Sequence, residues 1–133
     1  MMRTKNQPEW TKLIRGEALQ VEGSSVIVRL GNGRGHRVTV SAAAGHYVLQ
    51  SLVAGASVLD ALDGPSAVWA WRQNSGARLY HLHIDDRGRL IGEANVPKPC
   101  LTPDEFMLYL VTLARACDTL EYMLTGRDRE QQT

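Results

Sequence analysis

Between Phe106 and Leu124 the apolar residues recur at steps of three and four: Phe106, Leu110, Leu113, Cys117, Leu120 and Leu124. That period puts them on one stripe of an α-helix, which another layer must cover. Local signals bound the helix. Thr102 suits the N-cap, Pro103 the first helical position, and Glu105 completes a capping box. Gly126 supplies the C′ residue. Upstream the period falls to two, the signature of strands. Leu19 and Val21, then Val26, Val28 and Leu30, alternate on either side of Gly23 and predict one strand bent or bulged there. GNGRG (31–35), with its Asn-Gly dipeptide, predicts a hairpin turn. HRVTVSA is the second strand, with Val38 and Val40 inward, and a break follows at Ala44-Gly45. In HYVLQSLVAG, Tyr47, Leu49, Ser51 and Val53 share one face and Val48, Gln50, Leu52 and Ala54 the other. Helical steps also fit HYVLQSLVAGASVLDAL through Val48, Leu52 and Leu59, but its β-branched content and flanking glycines favour a third strand.

The remaining segments complete an order. PEWTKLIRGE predicts a short helix with Trp10, Leu13 and Ile14 on one face, ended by Gly16. ASVLDAL is a helical turn, Gly64-Pro65 a break, and SAVWAWRQN a short helix in which Val68, Trp69 and Trp71 are packed. ARLYHLHIDD is a strand with Tyr80, Leu82 and Ile84 on one face, DDRG (85–88) a turn, and RLIGEANV the returning strand with Leu90, Ala94 and Val96 alternating. VPKPCL is a rigid connector, because its prolines hold Val96 and Lys98 extended. The order α-β-β-β-α-β-β-α predicts an α+β fold: an antiparallel sheet of about five strands with helices packed on one face. A chain of 133 residues buries one core, so residues 8–126 form a single domain between a polar N-terminus (1–7) and a charged tail (127–133), both expected to be disordered.

Charge narrows the partners. Lys and Arg number 15 and Asp and Glu 14, so no general attraction to nucleic acid or to an anionic membrane is expected. Three Trp, four Tyr and one Phe are too few aromatics for a base-stacking surface. No run approaches the roughly 18 apolar residues of a spanning helix and MMRTKNQPEW has no apolar core of a signal segment, so a cytoplasmic protein is expected. Cys100 and Cys117 lack metal-site spacing and read as free thiols.

Candidate chemistry is sparse. His81 and His83 point the same way on a strand, as two ligands of one metal would, with Asp85 by parity or His36 from another strand as a third. Alternation gives a simpler account, the polar face of a half-solvated strand, and neither a metal nor a cofactor is expected. GNGRG joins two strands rather than opening a helix, so it is a turn and not a phosphate loop. Ser51, Cys117 and a histidine have the chemistry of a nucleophile with its base, but nothing in the spacing brings them together. Arg115, Asp118 and Glu121 fall on the outer side of the long helix as solvated ion pairs. Trp69 and Trp71, two residues apart, cannot both face inward. One belongs to the core, and the other has the character of an interface anchor.

From Asn74 to Leu124 the chain passes from a helix ending in Asn to a strand closing on Asp-Asp-x-Gly, then to a strand ending in Val-Pro. A Thr-x-x-Glu-capped helix carrying Ala114, Asp118 and Leu124 follows. With PEWTKLIRGE and VWAWRQNS ahead of it, the chain from about residue 8 to 126 resembles the type III secretion chaperone-like group, including the YbjN family. The group's secretion chaperones are typically acidic, whereas this chain is almost neutral. The resemblance implies a non-enzymatic homodimer that holds a partner protein or peptide on its sheet and helix surface, and the residues expected to meet it are Trp69, Trp71, Val48 and Leu52. Two alternatives carry their own structural requirements. A roadblock-like scaffold subunit needs residues 46–62 helical and SAVWAWRQ as a strand. A metal-dependent hydrolase needs a complete ligand set around His81 and His83.

Overall fold

A computed structural model describes residues 8–31, 33–62 and 64–125. The expected N-terminal and C-terminal disorder, Gly126 as the helix C′ residue, and Asn32 of the Asn-Gly turn lie outside the described residues. A 3₁₀ turn over Glu9–Leu13 leads into β1 (Leu19–Glu22), β2 (Ser25–Arg29), β3 (Gly35–Ala43) and β4 (His46–Ala54). Two short helices, α1 (Ala56–Asp60) and α2 (Ser66–Asn74), precede β5 (His81–Ile84), β6 (Leu90–Pro97) and α3 (Pro103–Thr125). The fold is α+β, with one antiparallel sheet of six strands in the order β1-β2-β3-β4-β6-β5.

The sixth strand comes from Gly23. Leu19 to Leu30 is not one bent strand but a hairpin, with Glu22 paired to Ser25 across a two-residue Gly23-Ser24 loop. Gly23 adopts φ +61, the left-handed conformation that two-residue hairpins need and glycine takes without a Cβ penalty. The other turns fall where the pattern puts them. Ala43 pairs with His46 across Ala44-Gly45, and Asp85 Oδ1 accepts the Arg87 and Arg89 N–H groups in the β5–β6 turn. Those bonds, led by the Arg89 N–H, hold the Asp85 carboxyl below its ordinary range. Residues 46–54 are strand and 66–74 helix, which removes the roadblock arrangement.

The capping box forms as expected: the Glu105 N–H donates to Thr102 Oγ1 (3.2 Å) and the Thr102 N–H to Glu105 Oε1 (3.0 Å). From there α3 lays Phe106, Leu110, Leu113, Cys117 and Leu120 onto the inward residues of the sheet, Val38, Val40, Tyr47, Leu49, Leu90, Ala94 and Val96, all of them buried. Trp10 fixes the N-terminal 3₁₀ turn by stacking on Phe106 at 6.5 Å, while Tyr47 meets the same ring edge-on at 5.8 Å. The Tyr47 hydroxyl donates to Glu9 Oε2 (2.5 Å). Burial, followed by this bond and the Glu9 charge, pushes the phenol up to about 12.

At one edge of the sheet α2 lies along β5. Asn74 Nδ2 donates to the Leu82 carbonyl (3.0 Å) and the Leu82 N–H donates to Asn74 Oδ1 (2.7 Å), so a side-chain amide pairs the edge strand where a seventh strand would. The packing of α2 departs from expectation. Ala70 is its buried residue, Trp69 is half-buried against the core, and Val68 and Trp71 are exposed rather than packed. A small side chain lets the helix approach the strand closely, and that turns its larger apolar residues outward.

Candidate functional site: the uncovered sheet face

No described helix covers the second face of the sheet. Its residues come from the alternate positions of each strand: Ile27 and Arg29 on β2, Arg37 and Thr39 on β3, Val48, Gln50 and Leu52 on β4, His81 and His83 on β5, Ile91 and Glu93 on β6. Antiparallel sheets read inward-apolar and outward-mixed when one side is free. Cross-strand pairs organise the polar part. Arg37 bridges to Glu22 (3.0 Å), Gln50 Nε2 donates to Glu93 Oε1 (2.8 Å), and His83 Nε2 stands 3.2 Å from the same Glu93 oxygen. Burial raises the Glu93 pKa, but the Gln50 hydrogen bond and both histidines outweigh it and hold the carboxyl below its ordinary range.

Leu52, 44 % exposed, stands between two shallow hollows of about 300 Å³ each. One is bounded by Thr39, Gln50, Ser51, His83, Asp85, Arg89 and Ile91. The other lies where β3 and β4 part. Their ladder runs from Ala43↔His46 to Thr39↔Gln50, and beyond it the Ser51 hydroxyl donates to the Arg37 carbonyl (2.8 Å). Through this gap the face dips towards His36 and Glu121.

Of the residues anticipated as partner-binding, Val48 and Leu52 stand on this face and Trp71 on the outer side of α2, 72 % exposed, while Trp69 turns under the helix to the core. The anticipated ions and nucleophiles move further. His36 is not a neighbour of His81 and His83 but lies on the inward side with Val38 and Val40, as its parity along β3 requires. Asp118 is not a solvated outer residue: it is buried, with Arg34 Nη2 at 2.6 Å and His36 Nδ1 at 3.7 Å. Asp85 is engaged by Arg89 (2.8 Å). The residue that joins the histidine pair is Glu93, directly opposite His81 on β6, which the sequence reading passed over.

Ser51 and Cys117 do come together, the one over the other beneath the sheet, but not as a catalytic pair. Burial pushes the Cys117 thiol up to about 12 and the Ser51 hydroxyl beside it lowers it only in part, so at neutral pH the thiolate is negligible. We expect a thiol-exchange reagent to modify one equivalent, exposed Cys100, in the folded chain and the second only in denaturant. Two fast equivalents in buffer would mean that Cys117 is not held under the sheet.

No helix among the described residues is long and apolar enough to cross a membrane. No family model and no curated protein matches the chain. Solved structures do. A chain in the heterodimeric ExoU-SpcU complex from the type III secretion system of Pseudomonas aeruginosa superposes with a TM-score of 0.56 at 14 % identity, over 75 % of this chain and 82 % of that one. A chain of the HopA1-SchA chaperone-effector complex does so with a TM-score of 0.51 at 11 % identity, over 84 % and 86 %. The fold of this protein is therefore the type III secretion chaperone-like fold.

Proposed function

We propose that this chain is a non-enzymatic, chaperone-like protein-binding module of the cytoplasm that seats a partner protein or peptide on its uncovered sheet face. The observation that carries the reading is the open face itself, with Leu52 44 % exposed beside Val48 and two shallow hollows around it. A broad, mixed surface with shallow hollows suits an extended polypeptide better than a small substrate. The fold likeness supports it, since the two structures named above are complexes with another protein. The neutral overall charge points to contacts made by side-chain fit rather than by long-range attraction. Capture from native lysate tests it: Leu52→Asp, a surface change on this face, should lose a partner that the parent chain retains. Identical retention by both chains would place the partner elsewhere.

In the same reading the chain is a homodimer, joined through α2. Val68 and Trp71, one helical turn apart, are 43 % and 72 % exposed, and a large aromatic in that position is the residue type that carries interface energy. Light scattering should give the mass of two chains for the parent and of one for Trp71→Glu, with unchanged circular dichroism. A parent chain that runs as a single copy at micromolar concentration would refute the pairing.

A further inference from the structure

We propose that His81, His83 and Glu93 form a binding site for a divalent transition-metal ion of the zinc class on the uncovered face of the sheet. This inference is independent of the protein-binding reading. It rests on the juxtaposition of two strands: His81 and His83 project from alternate positions of β5, and Glu93 is the cross-strand partner of His81 on β6. The ligand atoms of the three residues all lie within 4.8 Å of one another. Around a tetrahedral metal with bonds of about 2.0–2.1 Å, neighbouring ligand atoms are about 3.4 Å apart. His83 Nε2 is 3.2 Å from Glu93 Oε1 and His81 Nε2 is 3.9 Å from Glu93 Oε2, so small side-chain rotations close the set on an ion.

The donor chemistry agrees. Two imidazoles and one carboxylate make a mixed nitrogen-oxygen set, which suits zinc and its neighbours rather than calcium or magnesium. The Gln50 amide donates to Glu93 Oε1 at 2.8 Å, the kind of outer contact that fixes a ligand's orientation. The second cluster of this type, His36 with Asp118 and Glu121, is a poorer candidate. There the Arg34 guanidinium already stands 2.6 Å from Asp118 and supplies the positive charge.

Three protein ligands leave a fourth position, and this one opens to solvent. The His81 and His83 side chains are 48 % and 37 % exposed. A site so open does not exclude water or enclose a substrate, which separates it from the hydrolase alternative.

The test is calorimetric titration of Zn²⁺ into metal-free chain carrying no purification tag, with Co²⁺ absorption as the spectroscopic readout. One equivalent should bind to the parent and equally to Cys100→Ser, which removes the exposed thiol. His83→Ala should weaken binding by about 100-fold or more and Glu93→Gln by at least about tenfold, since even outer-shell losses cost that much. His81, His83 and Glu93 stand on the open face of the sheet and Cys100 is exposed in the connector between β6 and α3, so circular dichroism should not change. Absence of binding to the parent, loss of binding in Cys100→Ser, or undiminished binding in the double variant H81A/H83A would each overturn the assignment.

Discussion

Gly92→Ala should destabilise the chain by about 2 kcal/mol, the usual scale of one carbon too many in a packed layer, and Cys117→Ala in the same chain should return most of that loss. Gly92 faces inward at the middle of β6, and a Cβ there would sit 2.4 Å from Cys117 Sγ and 3.1 Å from Leu113 Cδ1. The first distance is impossible without movement. Both neighbours belong to α3, so the added carbon acts on the seam between the sheet and the helix that covers it. Glycine normally weakens a strand interior, and alanine would be preferred by some tenths of a kcal/mol on conformational entropy alone. The close approach of α3 outweighs that preference. Cys117→Ala by itself should cost about 1 kcal/mol for the small void. In the double variant the new methyl occupies the space the sulfur left, and Leu113 has only a few tenths of an ångström to give. Urea unfolding of the four chains gives the coupling directly. Additive losses, with no recovery in the double variant, would mean that α3 does not rest on Gly92.

How much of this was readable beforehand follows from the range of each interaction. The capping box of α3 spans three residues, and its stripe needs only a period, so both were legible. The β5–β6 pairing was legible in principle as well. Once the turn pairs Ile84 with Leu90, the register carries His81 to Glu93 without further information, whereas strand parity alone points to Asp85 and a second strand to His36. Gly23-Ser24 was also open to reading, since glycine followed by serine between alternating runs is a hairpin signal. The four-residue β1 beyond it is largely exposed and gives a weak pattern. Trp71 and Val68 could not be placed, because a nine-residue helix has little amphipathic signal and its side is chosen by Ala70 and by the Asn74 amide on β5. Arg34 and Asp118 are 84 residues apart. Neither a loop arginine nor a helical aspartate carries any local mark of the other.

That pair supplies the largest single effect to be expected. Asp118→Ala should lower stability by about 3 kcal/mol, near the lower end for removing one partner of a buried ion pair. Asp118 is 6 % exposed, and its Oδ2 accepts from Arg34 Nη2 at 2.6 Å and from Arg34 Nε at 3.2 Å. Removing the carboxylate takes two hydrogen bonds and an opposite charge away from a guanidinium in a low-dielectric place. The Arg34 side chain retains 20 % exposure and lies 5.4 Å over the Tyr122 ring, so some hydration and cation–π stabilisation remain, which sets the cost near that lower end. Replacing both partners by apolar groups removes the cation together with its carboxylate, so Arg34→Met with Asp118→Ala should be more stable than Asp118→Ala alone. The loss should also be local before it is global. Arg34 closes the β2–β3 loop, where its carbonyl accepts the Leu30 N–H, and Asp118 ties that loop to α3. Amide exchange at Leu30 and Gly33 should therefore accelerate in Asp118→Ala beyond what the change in global stability gives. A variant within about 1 kcal/mol of the parent, or uniform exchange across the loop and the sheet, would show that the tie contributes no more than a surface ion pair, for which that is the ordinary ceiling.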